Sequence, residues 1–428
     1  MLRPAILTFA ALALLQTATS AQYRKTCLVD AGENNATDDA LAIISAFKDC
    51  GRGGRVVFKP TTYYVNSVMN ITWLDDVKVD LYGKLLVRAT SIHIVNQSTA
   101  FVLGGNKVHI NGHGSGTLDG NGDYWYEWIR QQPNTSNYPG RPHAITFNGL
   151  RNSIVEGLTF LRSQMWTMSI IYSHYVELDS ILVNNTGNRV SSSNTDGADT
   201  IRSSHIKFNN WTVYNGDDSL AFKANSTDIS ITNSRFFNGL GIALGSIGQY
   251  KDQYETVERV KVENVHFGNT LHAVSFTFLG LHAADISSSM QKPGLMTRMA
   301  TRQTAVGADA ADMGFTNLET ADLRGAAVAI SQCTRFSGAP GQGNCTSSQF
   351  QIRDITITGL KGTTKSSRVA SLQCSAVAPC TNISILDAEL EFSNGTVASE
   401  YLCGNVKDQK GWECTGEVCV GGSATGEC

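Results

Sequence analysis

One apolar pattern recurs through the middle of the chain and constrains its fold more than any other feature. With Φ for an apolar residue, it is Φ-x-Φ-x-x-Φ-x-Φ. Full copies are Val176, Leu178, Ile181, Val183; Ile206, Phe208, Trp211, Val213; Val260, Val262, Val265, Phe267; and Phe350, Ile352, Ile355, Ile357. Ile383, Ile385, Ala388, Leu390 is another copy, and Ile229, Ile231, Phe236 and Val155, Leu158, Phe160 carry a serine in one slot. Each copy is two short alternating strands joined by a two-residue bend. Alternation at period two puts the apolar set on one face. The copies recur every ~23–31 residues, the range of solenoid coils. A β-sandwich would show tight hairpins such as Asn-Gly; the longer connections here favour an all-β, right-handed parallel β-helix. Helical spacing is confined to Asp38–Lys48, read as one amphipathic helix capped by Thr37 or Asp38. It could cover the open end of the solenoid, where strand edges are otherwise exposed.

A solenoid also changes what a length of 428 means. At roughly 100–200 residues per domain it would be two or three compact domains, but one elongated repeat protein needs no large single core. Arg3, the apolar run Ala5–Leu15 and Thr19-Ser20-Ala21 read as a signal peptide over residues 1–21. The run is too short to span a bilayer. Residues 22–428 then form one domain. Ten N-x-S/T sequons follow, at Asn35, Asn70, Asn96, Asn134, Asn184, Asn210, Asn225, Asn344, Asn382 and Asn394. Together these features predict a secreted, extracellular glycoprotein. Only 17% of residues are charged and the net charge is −3, which excludes a basic nucleic-acid binder and a disordered acidic chain. Secretion makes the ten cysteines disulfide partners. Near neighbours suggest Cys27–Cys50, Cys333–Cys345 and Cys374–Cys380. The last four allow three connectivities, of which Cys403–Cys414 with Cys419–Cys428 is favoured. No Cys/His spacing resembles a zinc site, and nothing demands a metal or cofactor. A monomer with no nucleic-acid or membrane partner is expected.

Carboxylates cluster on consecutive coils. Asn194-Thr195-Asp196-Gly197-Ala198-Asp199 precedes one repeat, and Gly216-Asp217-Asp218-Ser219 follows it about one coil later. Residues one coil apart stack roughly 4.8 Å away, so Asp196 would lie beside Asp217 and Asp218. Three carboxylates repel, and at least one pKa should rise. Glycoside hydrolysis needs this arrangement: one protonated acid for the leaving oxygen, one carboxylate to activate water. Ordinary turn dipeptides or a calcium site are the competing explanations.

Asn-Thr-Asp-Gly-x-Asp followed by Gly-Asp-Asp resembles the pectin-degrading polygalacturonase family (glycoside hydrolase family 28). Gly116-Thr117-Leu118-Asp119-Gly120-Asn121-Gly122, Arg141-Pro142-His143 and Ser331-Gln332-Cys333 extend the resemblance over nearly the whole mature chain. It implies a right-handed parallel β-helix that hydrolyses pectic polysaccharide with inversion. It also implies Asp217 as general acid, with Asp196 and Asp218 activating water and Asn194 beside them. Phe222-Lys223-Ala224-Asn225-Ser226 and Gly245–Tyr250 resemble the exo-acting branch, which removes terminal galacturonate. Lys223 would meet the galacturonate carboxylate, with Gln249 and Tyr250 as further contacts. Two positions depart from the family: Leu240 replaces the histidine of Gly-His-Gly, and Ser219 replaces a cysteine. These departures keep open a hydrolase of rhamnogalacturonan or xylogalacturonan, or an inactive carbohydrate-binding β-helix.

The family's Arg-x-Lys motif and the glycine run after it are absent after Asn269. Arg259-Val260-Lys261 matches in spelling only, because Val260 fills a core slot. Between Val274 and Asp312 the repeat vanishes. Read two nucleotides late, Ala300–Asp312 permits a Pro-Pro-Asn-Gly-rich run like the family's, and Met290–Leu295 permits its lysine motif. Val274-Ser275 can encode an intron donor and Ser289 an acceptor. Residues 274–312 are therefore expected to be a mis-spliced, frame-shifted and irregular segment.

Overall fold

In a computed structural model of the protein, residues 25–87, 98–132, 140–187, 193–248, 253–279, 307–334 and 348–416 are described. The inward columns show why the repeat folds as it does. Val155, Leu178, Phe208, Ile231, Val262, Phe315, Ile357 and Ile385 are successive register partners on parallel strands. Phe160, Val183, Val213, Phe236 and Phe267 form a second column. Each residue hides its apolar surface between the coils before and after it, and all of these are buried. The strands join in one hydrogen-bonded network with parallel pairing, and consecutive coils wind as a right-handed parallel β-helix.

The serine slots obey the same logic. Ser153 Oγ accepts from Val108 N and donates to Arg151 O. Ser234 Oγ accepts from Trp211 N and donates to Thr232 O. A buried hydroxyl is tolerated because it is bonded on both sides.

The N-terminal helix, α1, spans Ala40–Cys50, two residues later than expected at its start. Asp39 occupies the cap position, but its carboxylate is drawn to Gly32 N and Tyr64 N, while Asp38 Oδ1 accepts from Ala40 N. Ile43, Ala46 and Phe47 bury against the first coils. A second helix, α2 (Gly122–Ile129), was not expected. At two turns it is too short for a clear period. Its Trp125 and Tyr126 pack on Val87 and Ala100, and Tyr126 OH donates to Ser163 O. None of the described helices is long and apolar enough to cross a membrane.

Disulfides join Cys27–Cys50, Cys374–Cys380 and Cys403–Cys414. Cys345, Cys419 and Cys428 lie outside the described residues, as do the signal peptide, Asn96, Asn134, Asn344, Gln249 and Tyr250. Of the remaining sequons, Asn35, Asn70, Asn210 and Asn394 are exposed.

The expected irregularity of 274–312 is corrected at both ends. Val274–Leu279 is a strand paired in parallel between Gly241–Ile247 and Val328–Thr334, with a register shift in each pairing. Val274, Phe276 and Phe278 continue the inward column of Ile242 and Leu244, because Val-x-Phe-x-Phe alternates at period two. Gly307–Ala311 pairs with Tyr254–Glu258. Residues 280–306 lie outside the described residues.

Candidate active site

Two segments meet at the start of adjacent strands. Ala198–Ile201 pairs with Asp218–Phe222, Ala198 opposite Leu220 and Asp199 opposite Ala221. Ala198, Leu220 and Phe222 point into the core, which turns Asp199 to the other face. Gly197 N donates to Asp218 O at 3.0 Å, drawing Asp196 alongside Asp218. A Cβ on Gly197 would lie 2.2 Å from Ser219 O, so glycine alone permits this approach. Buried Asn215 staples the segments: its Nδ2 donates to the carbonyls of Thr195, Asp217 and Asp218 at 3.2, 2.9 and 2.7 Å. The result brings carboxylate oxygens of Asp196, Asp217 and Asp218 within 4.8 Å of one another. That spacing could also bridge a divalent cation.

The three carboxylates are not equivalent. Asp217 Oδ2 accepts from Asn194 N at 3.0 Å and Asn194 Nδ2 at 3.4 Å, and its Oδ1 from Asp218 N at 3.0 Å. Arg141 holds Asn194 in place through Nη2 to Oδ1 at 3.0 Å and bonds Ser193 O through Nη1 at 2.9 Å. Burial raises the pKa of Asp217, and the N–H donors pull part of that rise back. Asp196 and Asp218 are pushed well above the ordinary carboxylate value, by burial first and neighbouring carboxylates second. Asp196 Oδ1 is buried and accepts no hydrogen bond. Donors to an anion stabilise its charge, so the resting proton is favoured on Asp196 or Asp218 over Asp217. Groups this close titrate as one unit.

Lys223 sits behind this cluster, buried, one coil below Ile201. Its ammonium lies 3.1 Å from Asp199 Oδ1, donates to Gly245 O at 3.2 Å, and stands 4.8 Å over the Trp166 ring. Burial pulls its pKa down, but Asp199, Asp196 and Asp218 together hold it above its ordinary value. Burial raises Asp199 to about 6 against the pull of Lys223. His143 stacks on Trp166 at 4.6 Å and meets Ser169 Oγ through Nδ1 at 2.6 Å. Burial, with Lys223 and Arg141 nearby, pushes His143 down to about 3 and keeps it neutral. Trp166 also belongs to a small apolar cluster with Met165, Ile171 and Ile201, separate from the main core.

Four of the expected site residues therefore meet here: Asp196, Asp217, Asp218 and Asn194, with Lys223 adjoining through Asp199. Half-buried Leu240 follows on the next coil, its N–H donating to Asp217 O at 2.8 Å. Ser219 is fully buried. Arg259 pairs with Asp228 and Lys261 with Glu263, and Val260 is a core residue, so that triplet stays out of the site. Asp199, Asn215, Arg141, His143 and Trp166 were not singled out as site residues. Asp199 closes the Asn-Thr-Asp-Gly-x-Asp motif and could have been; Trp166 carries no local signal.

The protein-family model described as glycosyl hydrolases family 28 matches residues 58–277 and 285–415. Alpha-L-rhamnosidase rgxB of Aspergillus niger is 48% identical, over 97% of this chain and 96% of its own length. A probable exopolygalacturonase X of Aspergillus terreus is 30% identical over 90% of this chain and 87% of that protein. Among solved structures, an endo-xylogalacturonan hydrolase from Aspergillus tubingensis superposes with a TM-score of 0.74 at 22% identity, covering 92% of this chain and 99% of that one.

Proposed function

The chain belongs to glycosyl hydrolase family 28, a family of pectin-degrading glycosidases, and on that premise we propose that it is a secreted exo-hydrolase releasing terminal α-L-rhamnose from pectic chains. The observation that carries the choice of sugar is the Lys223–Asp199 pair. A galacturonate carboxylate needs a cation. Both cations among the described residues of the site are bound by protein groups, Lys223 by Asp199 and Arg141 by Asn194 and Ser193. The wall beside them is apolar, formed by Met165, Trp166, Ile171 and Ile201, and Leu240 stands beside Asp217. Such a wall suits a neutral 6-deoxy sugar. The 48%-identical relative named a rhamnosidase supports the same choice.

In this proposal Asp217 protonates the leaving oxygen while Asp196 and Asp218 activate water. Because the resting site favours charge on Asp217, its proton would pass from the neighbouring carboxyls. The carboxylate oxygens approach closer than the roughly 6.5–9.5 Å common for inverting pairs, so inversion rests on the family resemblance.

Release of terminal galacturonate is the second reading, favoured by relatives such as the exopolygalacturonase. Incubating the protein with rhamnose-terminated rhamnogalacturonan oligosaccharides and, separately, with oligogalacturonides distinguishes the two. Free rhamnose is expected, with its first anomer read by proton NMR. Galacturonate alone would establish the second reading; no sugar from either would leave a binding protein. Asp217→Asn should abolish release from oligosaccharides yet retain activity on a nitrophenyl rhamnoside, whose leaving group needs no proton. If Asp218→Asn shows that retention instead, the acid is Asp218.

A further inference from the structure

The three carboxylates stand between two chemically different walls. One backbone ladder sets the order of the coils: Thr167 N donates to Asp196 O, Gly197 N to Asp218 O, Leu240 N to Asp217 O and His272 N to Leu240 O, at 2.8, 3.0, 2.8 and 3.1 Å. The apolar wall of Trp166, Ile171 and Ile201 belongs to the coils before Asp217. On the coil after it, the turn Asn238-Gly239-Leu240 closes on Asp217. A Cβ on Gly239 would lie 2.3 Å from Asp217 O, so this approach needs glycine.

Arg324, two coils beyond that turn, reaches back to it. Its Nη2 donates to Asn238 O at 2.8 Å and to Gly239 O at 2.7 Å. The turn does not depend on this cap, because Gly239 O already accepts from Leu271 N at 2.9 Å. Arg55, Arg162, Arg259 and Arg353 each meet a carboxylate. Exposed Arg324 meets none among the described residues, and nearby Asp322 pairs with Lys365. Burial of its stem lowers its pKa, with no carboxylate to raise it. Of the five N–H donors of a guanidinium, those on Nε and Nη1 have no partner among the described residues. The charge stands roughly 5–10 Å along the axis from the Asp217 backbone, one to two strand spacings.

We propose that Arg324 grips the carboxylate of the uronate next to the sugar being released. Rhamnogalacturonan alternates rhamnose with galacturonate. A terminal rhamnose held against the apolar wall therefore leaves a galacturonate on the far side of the three carboxylates, where Arg324 stands. The grip is a charge-assisted hydrogen bond from guanidinium to carboxylate. This rests on the chain acting on a uronate-bearing pectic substrate. It places the cation away from the terminal sugar, so the choice of a neutral sugar there is unaffected.

The test compares KM for a rhamnose-terminated rhamnogalacturonan oligosaccharide with KM for the same oligosaccharide after methyl esterification of its uronates, which removes the charge and keeps the sugars. In the wild type the ester-to-acid KM ratio should be about ten, the worth of one hydrogen bond to a charged group, and in Arg324→Gln it should fall to about one. Glutamine keeps an amide donor for the turn carbonyls, so loss of the cap is not mistaken for loss of the charge. A wild-type ratio of about one would overturn the proposal. So would a ratio unchanged in the variant, including one in which both KM values rise together. Should the protein release no rhamnose, calorimetric titration of the same two oligosaccharides into wild type and Arg324→Gln decides. An ester-to-acid Kd ratio of about ten that falls to about one in the variant supports the grip while the rhamnosidase reading fails. Equal ratios in the two proteins, or no binding, remove it.

Discussion

Lys223 and Asp199 illustrate how a single buried charge is constrained. Removing one partner of a buried pair leaves the other without compensation, typically at 3–5 kcal/mol, while removing both can be nearly neutral. Lys223→Met should therefore lower the melting temperature more than the Asp199→Asn/Lys223→Met double variant, which should recover much of both stability and turnover. Equal losses in the single and double variants, by scanning calorimetry and sugar release, would show that the pair is not coupled. The three site aspartates were legible in the sequence, because a motif one coil long fixes their stacking. Asn215, Arg141 and Trp166 were not. Asn215 acts through carbonyls of two coils, and Arg141 reaches Asn194 across more than fifty residues of chain. Such contacts exist only once the register is known.

Among elements, the strands were the easiest to anticipate, since period-two alternation is itself the inward column. α1 was visible by its helical spacing, but its start depended on Asp39 being recruited by Gly32 and Tyr64, a tertiary effect. α2 is too short to announce itself. Val274–Leu279 lacks the two-part repeat and so read as foreign, yet its alternation places Val274, Phe276 and Phe278 inward like any other coil. Its pairing shows that these residues fit the coil, whatever the origin of their codons. We propose that a retained intron, with a second splicing error near Asp312, alters residues 274–312, which include the break in the family match at 278–284. Sequencing the transcript is expected to yield a glycine-rich loop there; an mRNA encoding 274–312 as written removes the proposal.

For the whole molecule, the buried carboxylates set the dependence of stability on pH. Asp196, Asp199, Asp217 and Asp218 all titrate above the ordinary 3.8. Where the folded state binds protons that the unfolded chain has released, stability falls as pH rises. Their contribution is complete below 3.8 and is lost as pH climbs through the raised values, about 6 for Asp199. Asp228 and Asp354 work oppositely. The hydrogen bond from Arg259 lowers Asp228 and that from Asn382 lowers Asp354, so their contribution is lost as pH falls. The melting temperature should thus peak on the acidic side, decline between about pH 5 and 7, and decline less steeply in Asp218→Asn. A curve rising towards neutrality would contradict the assignment.

One corner of the coil takes a positive φ on successive turns, at Asn152, Tyr175, His205 and Asp228, and that column carries one more implication. A corner needs only a backbone that tolerates positive φ, and its side chain leaves the core untouched. Each coil thus supplies a position where natural variation can alter what the surface grips while the reaction chemistry one strand away is inherited unchanged. Lineages with this scaffold could diverge in the polymers they attack one coil at a time, without first passing through an unstable ancestor.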